Sequence, residues 1–450
     1  MNMLRLAAVA LAIVGCTPLA VHAQPPSGAE KCDADVQRRD AEWAASPDGH
    51  SVVASTLHTE AGDFHRTWCL FWNTTSKLDH GRKMEDFLRV LFTTDGLRPA
   101  LGSAAQNSGP GGGVAFDMSP ASRTKPLRFE IRSEVRGSSS GSWDAGALLN
   151  IVGTKAPGEA GHAYGSLEAQ HVNATQRVYF AESAADPTET RFRLDQTTAR
   201  GVYHTHEFGG ASVFGEIGVA AFRPGSATNT GAAPSTDTLV TDTIAPGLST
   251  PTTYGVFGAG LNWHFPAEEH IAGYSTQLSS SLRFFQESAP YSFRRADVTW
   301  ANQYTPETDT DFGTVSAAAR LITAMPESGN RVPFYLQPAL GGNDIEHDAG
   351  LRSYEYGRFR APDTFAGQVE YTKTVWGPLA FLVFVDGGTS GDALSSLGMW
   401  HHSEGVGIVI RAGGLAFARV YVAWGGRQHR VSGGADSSKT WLDGAQRGAY

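Results

Sequence analysis

From Gly111 to Ser438 the chain falls into about sixteen short segments in which polar and apolar side chains alternate, separated by turns rich in Gly, Pro, Ser and Asp. Leu127-Arg128-Phe129-Glu130-Ile131-Arg132-Ser133-Glu134-Val135-Arg136 is the clearest, with mostly apolar groups on one face and charges of both signs on the other. A period of two describes a strand with two unlike faces, and it does not by itself say which face meets water. The number of segments does favour one answer. Soluble sandwiches usually stop earlier, whereas about sixteen segments of ~10 residues match the even strand counts of outer-membrane barrels. The strands are expected to begin near Gly111, Leu127, Ser142, His162, Thr190, Ala211, Tyr254, Ala272, Phe293, Gly313, Arg331, Thr364, Pro378, Glu404, Leu415 and Gln428. The expected fold is therefore all-β, a transmembrane antiparallel β-barrel of about sixteen strands behind a short periplasmic segment.

Composition agrees with that class. Of 450 residues, 41% are hydrophobic and 52 are Gly, and mean hydropathy is -0.24. Past the N-terminus no apolar run reaches the 18 residues a membrane helix needs, which excludes helical spans and leaves a barrel open. A net charge of -9 and the lack of any basic cluster with interleaved aromatics exclude a nucleic-acid partner. Trp143, Tyr203, Trp263, Trp300, Tyr335, Trp376 and Trp400 lie near strand ends, where an interfacial girdle would use them.

Residues 1–23 read as a signal peptide: Arg5 gives the positive start, Leu6 to Gly15 the apolar stretch, and Val21-His22-Ala23 the cleavage site. Ile13-Val14-Gly15-Cys16 offers the alternative of a lipoprotein box. Cleavage after Ala23 leaves Cys32 and Cys69, an even number in an oxidising compartment, so a disulfide is expected; two free structural thiols are the alternative. Residues 24–110 read as a periplasmic segment with one short helix, since Met84, Phe87, Leu88, Leu91 and Phe92 share a helical face. Gly- and Ser-rich Asn107 to Gly113 marks the boundary, residues 111–441 the barrel and 442–450 a tail. Pro224 to Thr253 has no periodicity and reads as a mobile extracellular loop.

The most informative stretch runs from Leu351 to Gly388, a basic, aromatic loop followed by two alternating segments that end in Phe384-Val385-Asp386-Gly387-Gly388. An unpaired charge in a closed interior costs several kcal/mol, so a loop offering Arg352, Arg358 and Arg360 near Asp386 suggests a tethered loop. The stretch resembles the BamA/TamA family of outer-membrane assembly proteins, the bacterial surface antigen family. The family's loop motif, an arginine followed by glycine and an aromatic, is matched by Leu351-Arg352-Ser353-Tyr354 with Ser353 in place of the glycine. Its strand motif F-x-[DE]-x-G is matched by Phe384, Asp386 and Gly388. Val178-Tyr179-Phe180 through Arg191-Phe192-Arg193-Leu194 is also similar to the early barrel of that family.

The resemblance implies a Gram-negative outer-membrane barrel in which Arg352 reaches into the lumen and pairs with Asp386, with Glu370 as a second partner. It also implies outer-membrane lipids, unfolded outer-membrane clients or periplasmic proteins as partners, and a monomer. Family members carry polypeptide-transport-associated domains before the barrel; residues 24–110 lack their strand and helix alternation, so the expectation is a barrel without them. The function implied is insertion or export of outer-membrane proteins or lipids. The alternatives are a passive pore or structural surface antigen and, behind these, an outer-membrane hydrolase.

No enzymatic role, cofactor or metal is expected. His204 and His206 share a strand face, but Glu207 alternates to the other. The acidic run Asp344, Glu346, His347 and Asp348 has no EF-hand glycine spacing. His401-His402-Ser403-Glu404 has no third, orienting group. Gly137-Ser138-Ser139-Ser140-Gly141 fits G-x-S-x-G but is followed by a strand pattern, not a helix. Gly111 to Gly113 lacks the G-K-[ST] of a phosphate loop.

Overall fold

The structure is a computed structural model. It describes residues 37, 38 and 41 and, from 96 to 435, all but 106–107, 119–126, 154–163, 182–187, 229–232, 266–272, 288–289, 307–312, 343–349, 377–378, 413–414 and 427. The proposed signal sequence, Cys32, Cys69, the helix at Met84, the acidic run at Asp344 and Trp441 lie outside the described residues.

Alternation becomes strands almost wherever it occurs. In chain order they are β1 (Gly96–Leu101), β2 (Gly111–Met118), β3 (Leu127–Ser138), β4 (Trp143–Gly153), β5 (Tyr164–Ala181) and β6 (Thr188–His204). Next come β7 (Ala211–Ser226), β8 (Thr252–Phe265), β9 (Tyr274–Gln286), β10 (Phe293–Tyr304) and β11 (Thr314–Pro326). After the two-residue β12 (Ala339–Leu340) and β13 (Phe359–Arg360) follow β14 (Asp363–Trp376), β15 (Leu379–Gly391), β16 (His401–Ala412), β17 (Leu415–Gly425) and β18 (Gln428–Ala435). All but β12 and β13 form one antiparallel sixteen-stranded sheet in chain order, from β1 at one end to β18 at the other.

The two faces of this sheet are the reverse of a soluble protein's. On β3, Glu134 and Arg136 are buried while Val135 is exposed; on β10, Arg295 and Asp297 are buried while Val298 and Trp300 are exposed. The buried charges are paired across strands. Arg136 lies 2.8 Å from Asp144, Arg200 lies 2.7 Å from Glu168 and 3.3 Å from Glu216, Glu216 also receives Arg283, and Arg320 lies 2.7 Å from Asp297. Such charges tolerate a closed interior only when paired. An apolar face turned outward is stable only against lipid, which makes this a transmembrane β-barrel. No described helix is long and apolar enough to cross a membrane.

Curvature follows from one short stretch. The carbonyl of Tyr354 accepts a hydrogen bond from Arg430 on β18, while four residues on the Arg358 guanidinium sits 4.8 Å from the Phe180 ring on β5. Those strands are eleven steps apart in the sheet, more than ~50 Å if it were flat. Four residues reach no more than about 14 Å. The sheet therefore curls back on itself.

Two strands differ from the sequence reading. The sheet begins at Gly96, ahead of the boundary expected at 111: the Gly/Ser-rich stretch is a turn joining β1 to β2, closed by the Ser103 hydroxyl donating to the Gly109 carbonyl and by a 2.8 Å bond between the Ser108 and Ser138 hydroxyls. The strand expected near Arg331 is absent. Pro333 and Pro338 cannot donate to a ladder, and the residues between them form a 3-10 turn, Phe334–Leu336, with three consecutive buried side chains. One gain and one loss leave the expected count of sixteen unchanged.

The stretch from Pro224 to Thr253 is also not the free loop that was expected. It carries a helical turn, Thr236–Leu239, and buries Val240, Ala245 and Leu248 against Val332, Phe334, Tyr335 and Leu336. The same cluster contains Tyr179, Phe192, Phe222, Tyr254, Phe285 and Phe293, one from each of the six strands β5 to β10. Two connections, β7 to β8 and β11 to β14, thus share one apolar core at the same end of the barrel. Tyr335 is buried in this core and is no girdle residue, whereas Trp143, Tyr203, Trp300 and Trp400 are exposed.

Candidate functional site

The site is built from the β11–β14 connection and the strands that follow it. Antiparallel pairing sets Gln368 opposite Asp386 and Glu370 opposite Phe384, so Glu370 on β14 and Asp386 on β15 are diagonal neighbours on the buried face. Arg352 comes down between them and is only 1% exposed. Its Nε donates to Asp386 Oδ2 at 3.1 Å, Nη2 to Asp386 Oδ1 at 2.7 Å and Nη1 to Glu370 Oε2 at 2.9 Å. The Arg352 backbone N–H adds a 3.0 Å bond to Asp386 Oδ2. One guanidinium fork thus holds two carboxylates, which a lysine, with a single point charge, does not reproduce.

The alternating residues of β15 each meet the connection differently. The Phe384 ring lies under the guanidinium, 3.4 Å from its central carbon to the ring centroid, a cation–π contact. Asp386 takes the charge. At Gly388 a Cβ would come within 3.0 Å of Leu340 Cδ1 and of the Phe365 carbonyl oxygen, and 3.6 Å from Leu351 Cδ1. Only a residue without a side chain lets the connection lie this close.

The turn that presents Arg352 is under strain. Leu351, fully buried, has φ of +64°, a left-handed conformation that branched and bulky side chains resist. Beyond it, the Ser353 N–H donates to the Ser403 hydroxyl on β16 at 2.9 Å. The Ser353 hydroxyl itself is buried and makes no hydrogen bond among the described residues. Tyr354 packs edge-on against Phe359 and His401, at 5.0 and 5.8 Å between ring centroids. Its carbonyl and that of Gly342 both accept from Arg430 Nη1, at 3.0 and 2.9 Å.

The structure thus brings together Arg352, Glu370, Phe384, Asp386 and Gly388, with Ser353 and Tyr354 alongside. The other two arginines of the loop go elsewhere. Arg358 lies over Phe180, and Arg360 donates to the carbonyls of Phe334 and Gln337, both at 3.0 Å. Burial and the nearby Arg177 lower the Arg360 pKa to about 10. Sequence reasoning missed the strain at Leu351 and the parts played by Ser403 and Arg430, because these depend on a fold-back that no local spacing encodes.

Two of the remaining polar clusters make local contacts. His204 stacks on Tyr164 at 4.2 Å between ring centroids, and Glu207 lies 3.3 Å from His264 on β8. No cluster of three metal-binding side chains occurs among the described residues. Gly137 to Gly141 forms the turn between β3 and β4, with the Ser138 N–H donating to the Ser142 carbonyl.

Comparison with known proteins adds the architecture. No family model and no curated protein matches the chain. Among solved structures, it is similar to BamA from Haemophilus ducreyi lacking POTRA domains 1-3, with a TM-score of 0.51 at 11% identity over 75% of this chain and 69% of that one. The chain has the fold of a BamA-like barrel. CdiB from Acinetobacter baumannii aligns with a TM-score of 0.44 at 9% identity, over 75% of this chain and 58% of that one. CdiB from Escherichia coli aligns with a TM-score of 0.45 at 12% identity, over 74% and 60%.

Proposed function

We propose that the chain is an outer-membrane barrel whose β11–β14 connection is an inward loop, fastened in the lumen by Arg352 against Asp386 and Glu370, and that it inserts or exports outer-membrane proteins or lipids. The observation that carries this reading is the single guanidinium that holds two carboxylates on neighbouring strands. A buried triad of this kind is a weak source of stability but a good device for fixing one geometry. Here it would hold a strained turn in the interior and keep the lumen plugged while the wall remains free to deform. On this reading the chain is a monomer, its partners are outer-membrane lipids and unfolded client proteins, and it catalyses no covalent chemistry.

A passive pore is the competing reading, and the shared core of the two connections speaks against it because it gathers buried side chains of six strands and both connections at one end of the barrel. Reconstitution separates the two. Purified protein in liposomes is expected to speed insertion of an unfolded outer-membrane barrel and to conduct little, and Arg352→Ala to lose the acceleration and gain conductance. Steady conductance by the wild type without any acceleration would leave the pore reading standing in its place.

A further inference from the structure

The outward face of β7 reads Val213, Gly215, Ile217, Val219, Ala221 and then Arg223. Val213, Ile217 and Val219 are exposed, as the lipid-facing side of a barrel requires, and Arg223 is exposed on the same side. From Val213 to Ala221 the strand covers about 27 Å, or about 20 Å of bilayer once tilted, a little less than the ~25 Å apolar band of such barrels. Arg223 therefore stands where the apolar band ends and the headgroups begin.

Its neighbours mark the same level. Cross-strand pairing places Trp143, Asn173, Asp195 and Arg223 in one row across β4, β5, β6 and β7, and Trp143 is exposed, as an interfacial tryptophan would be. Arg193 on β6 lies opposite Gly225 and so is diagonal to Arg223, about 7 Å away between backbones. Gly225 leaves open the space beside Arg193: a Cβ there would be 3.3 Å from Arg193 Nη2.

Neither arginine has a carboxylate within ion-pair distance among the described residues. Asp195, the nearest acid in the row, turns to His171, whose Nε2 is 3.8 Å away. Arg191 on the same strand is already occupied by Glu189 at 2.9 Å and by Gln176. Two adjacent unpaired guanidiniums at the edge of the apolar band, with an interfacial tryptophan in line, are complementary to a dianionic group held at headgroup depth.

We propose that Arg193 and Arg223 form a binding site for the phosphate of a membrane lipid, in the leaflet at the end of the barrel where the β7–β8 and β11–β14 connections meet. Arginine forks bind phosphate oxygens in pairs, and the outward apolar side chains of β7 below them would accept the acyl chains. The site depends on the barrel fold alone and not on the role of the Arg352 loop.

The test is native mass spectrometry of the full chain released from nanodiscs of phosphatidylcholine with a minor share of phosphatidic acid. Wild type is expected to retain phosphatidic acid in preference to phosphatidylcholine. Arg193→Gln with Arg223→Gln should lower that preference by about tenfold or more, the worth of at least one charged hydrogen bond. Arg294→Gln should leave it unchanged, because Arg294 is exposed but sits over Phe284 and 3.9 Å from Glu327. Retained heat-modifiable migration on gels shows that each variant is folded. No preference in the wild type, equal retention by the double variant, or displacement of the lipid by millimolar inorganic phosphate would each overturn the proposal.

Discussion

Arg352 shows how a single residue is fixed by four independent constraints: two carboxylates, an aromatic ring beneath it, and a backbone N–H aimed at the same acid. Ser353, beside it, is the weak point. Its hydroxyl is buried without a partner among the described residues, and an unmade hydrogen bond of that kind costs about 1–3 kcal/mol, so Ser353→Ala is expected to stabilise the protein by roughly 1 kcal/mol. Urea unfolding in lipid vesicles checks this, and a loss of stability would show that the hydroxyl has a partner after all. The arginine, its acid and the Phe384-x-Asp386-x-Gly388 spacing were legible in the sequence because each lies on an alternating strand or in a basic loop. The steric demand at Gly388 was not, since it arises from Leu340 and Leu351, which approach from another part of the chain.

Among the elements, the connections departed furthest from their sequence reading. Strands announce themselves by alternation; a loop that packs through three consecutive buried residues, as Phe334–Leu336 does, has no period to read. The β7–β8 connection read as a mobile loop because its many Ser and Thr residues show no period, yet several of them are spent on local bonds. The Thr236 and Thr190 hydroxyls are 2.8 Å apart, and the Phe334 N–H donates to the Pro246 carbonyl at 2.9 Å, tying this connection to the other. Asp237 anchors its first turn, and the Ser226 and Ser235 hydroxyls that donate to it hold its pKa below the usual carboxylate value. A depressed folded-state pKa gives stability that is complete above the unfolded value near ~3.9 and is lost as the pH falls through the folded value. Asp237 is largely exposed, so the effect should be small and local. Pepsin cleavage within 227–251 is expected to be slow at pH 5 and to quicken only below about pH 4; unchanged cleavage down to pH 2 would show that Asp237 does not hold the turn.

At the scale of the whole molecule, the sequence carried the strand count and the two-faced pattern but not the ladder of ion pairs through Arg136, Arg200, Arg283 and Arg320, because partners on neighbouring strands depend on register. Register follows from the turns, and the first turn was mistaken for a boundary. The inversion of faces is itself testable. Ile217, 71% exposed midway along the outward side of β7, would be harmless to replace in water, whereas Ile217→Arg at the middle of an apolar band should cost about 2–4 kcal/mol in lipid vesicles. A negligible effect would place that face in water.

The central claim, that one loop arginine is fastened to the barrel wall, is tested most directly by a double-mutant cycle on Arg352→Ala and Asp386→Ala, read as unfolding free energy in lipid vesicles. Arg352→Ala strands the buried Asp386 and should cost about 3–5 kcal/mol, Asp386→Ala leaves Arg352 its 2.9 Å contact with Glu370 and should cost less, and the pair together should cost little more than Arg352→Ala alone, a coupling well above ~1 kcal/mol. Additive losses would mean that the two groups stand close without holding each other.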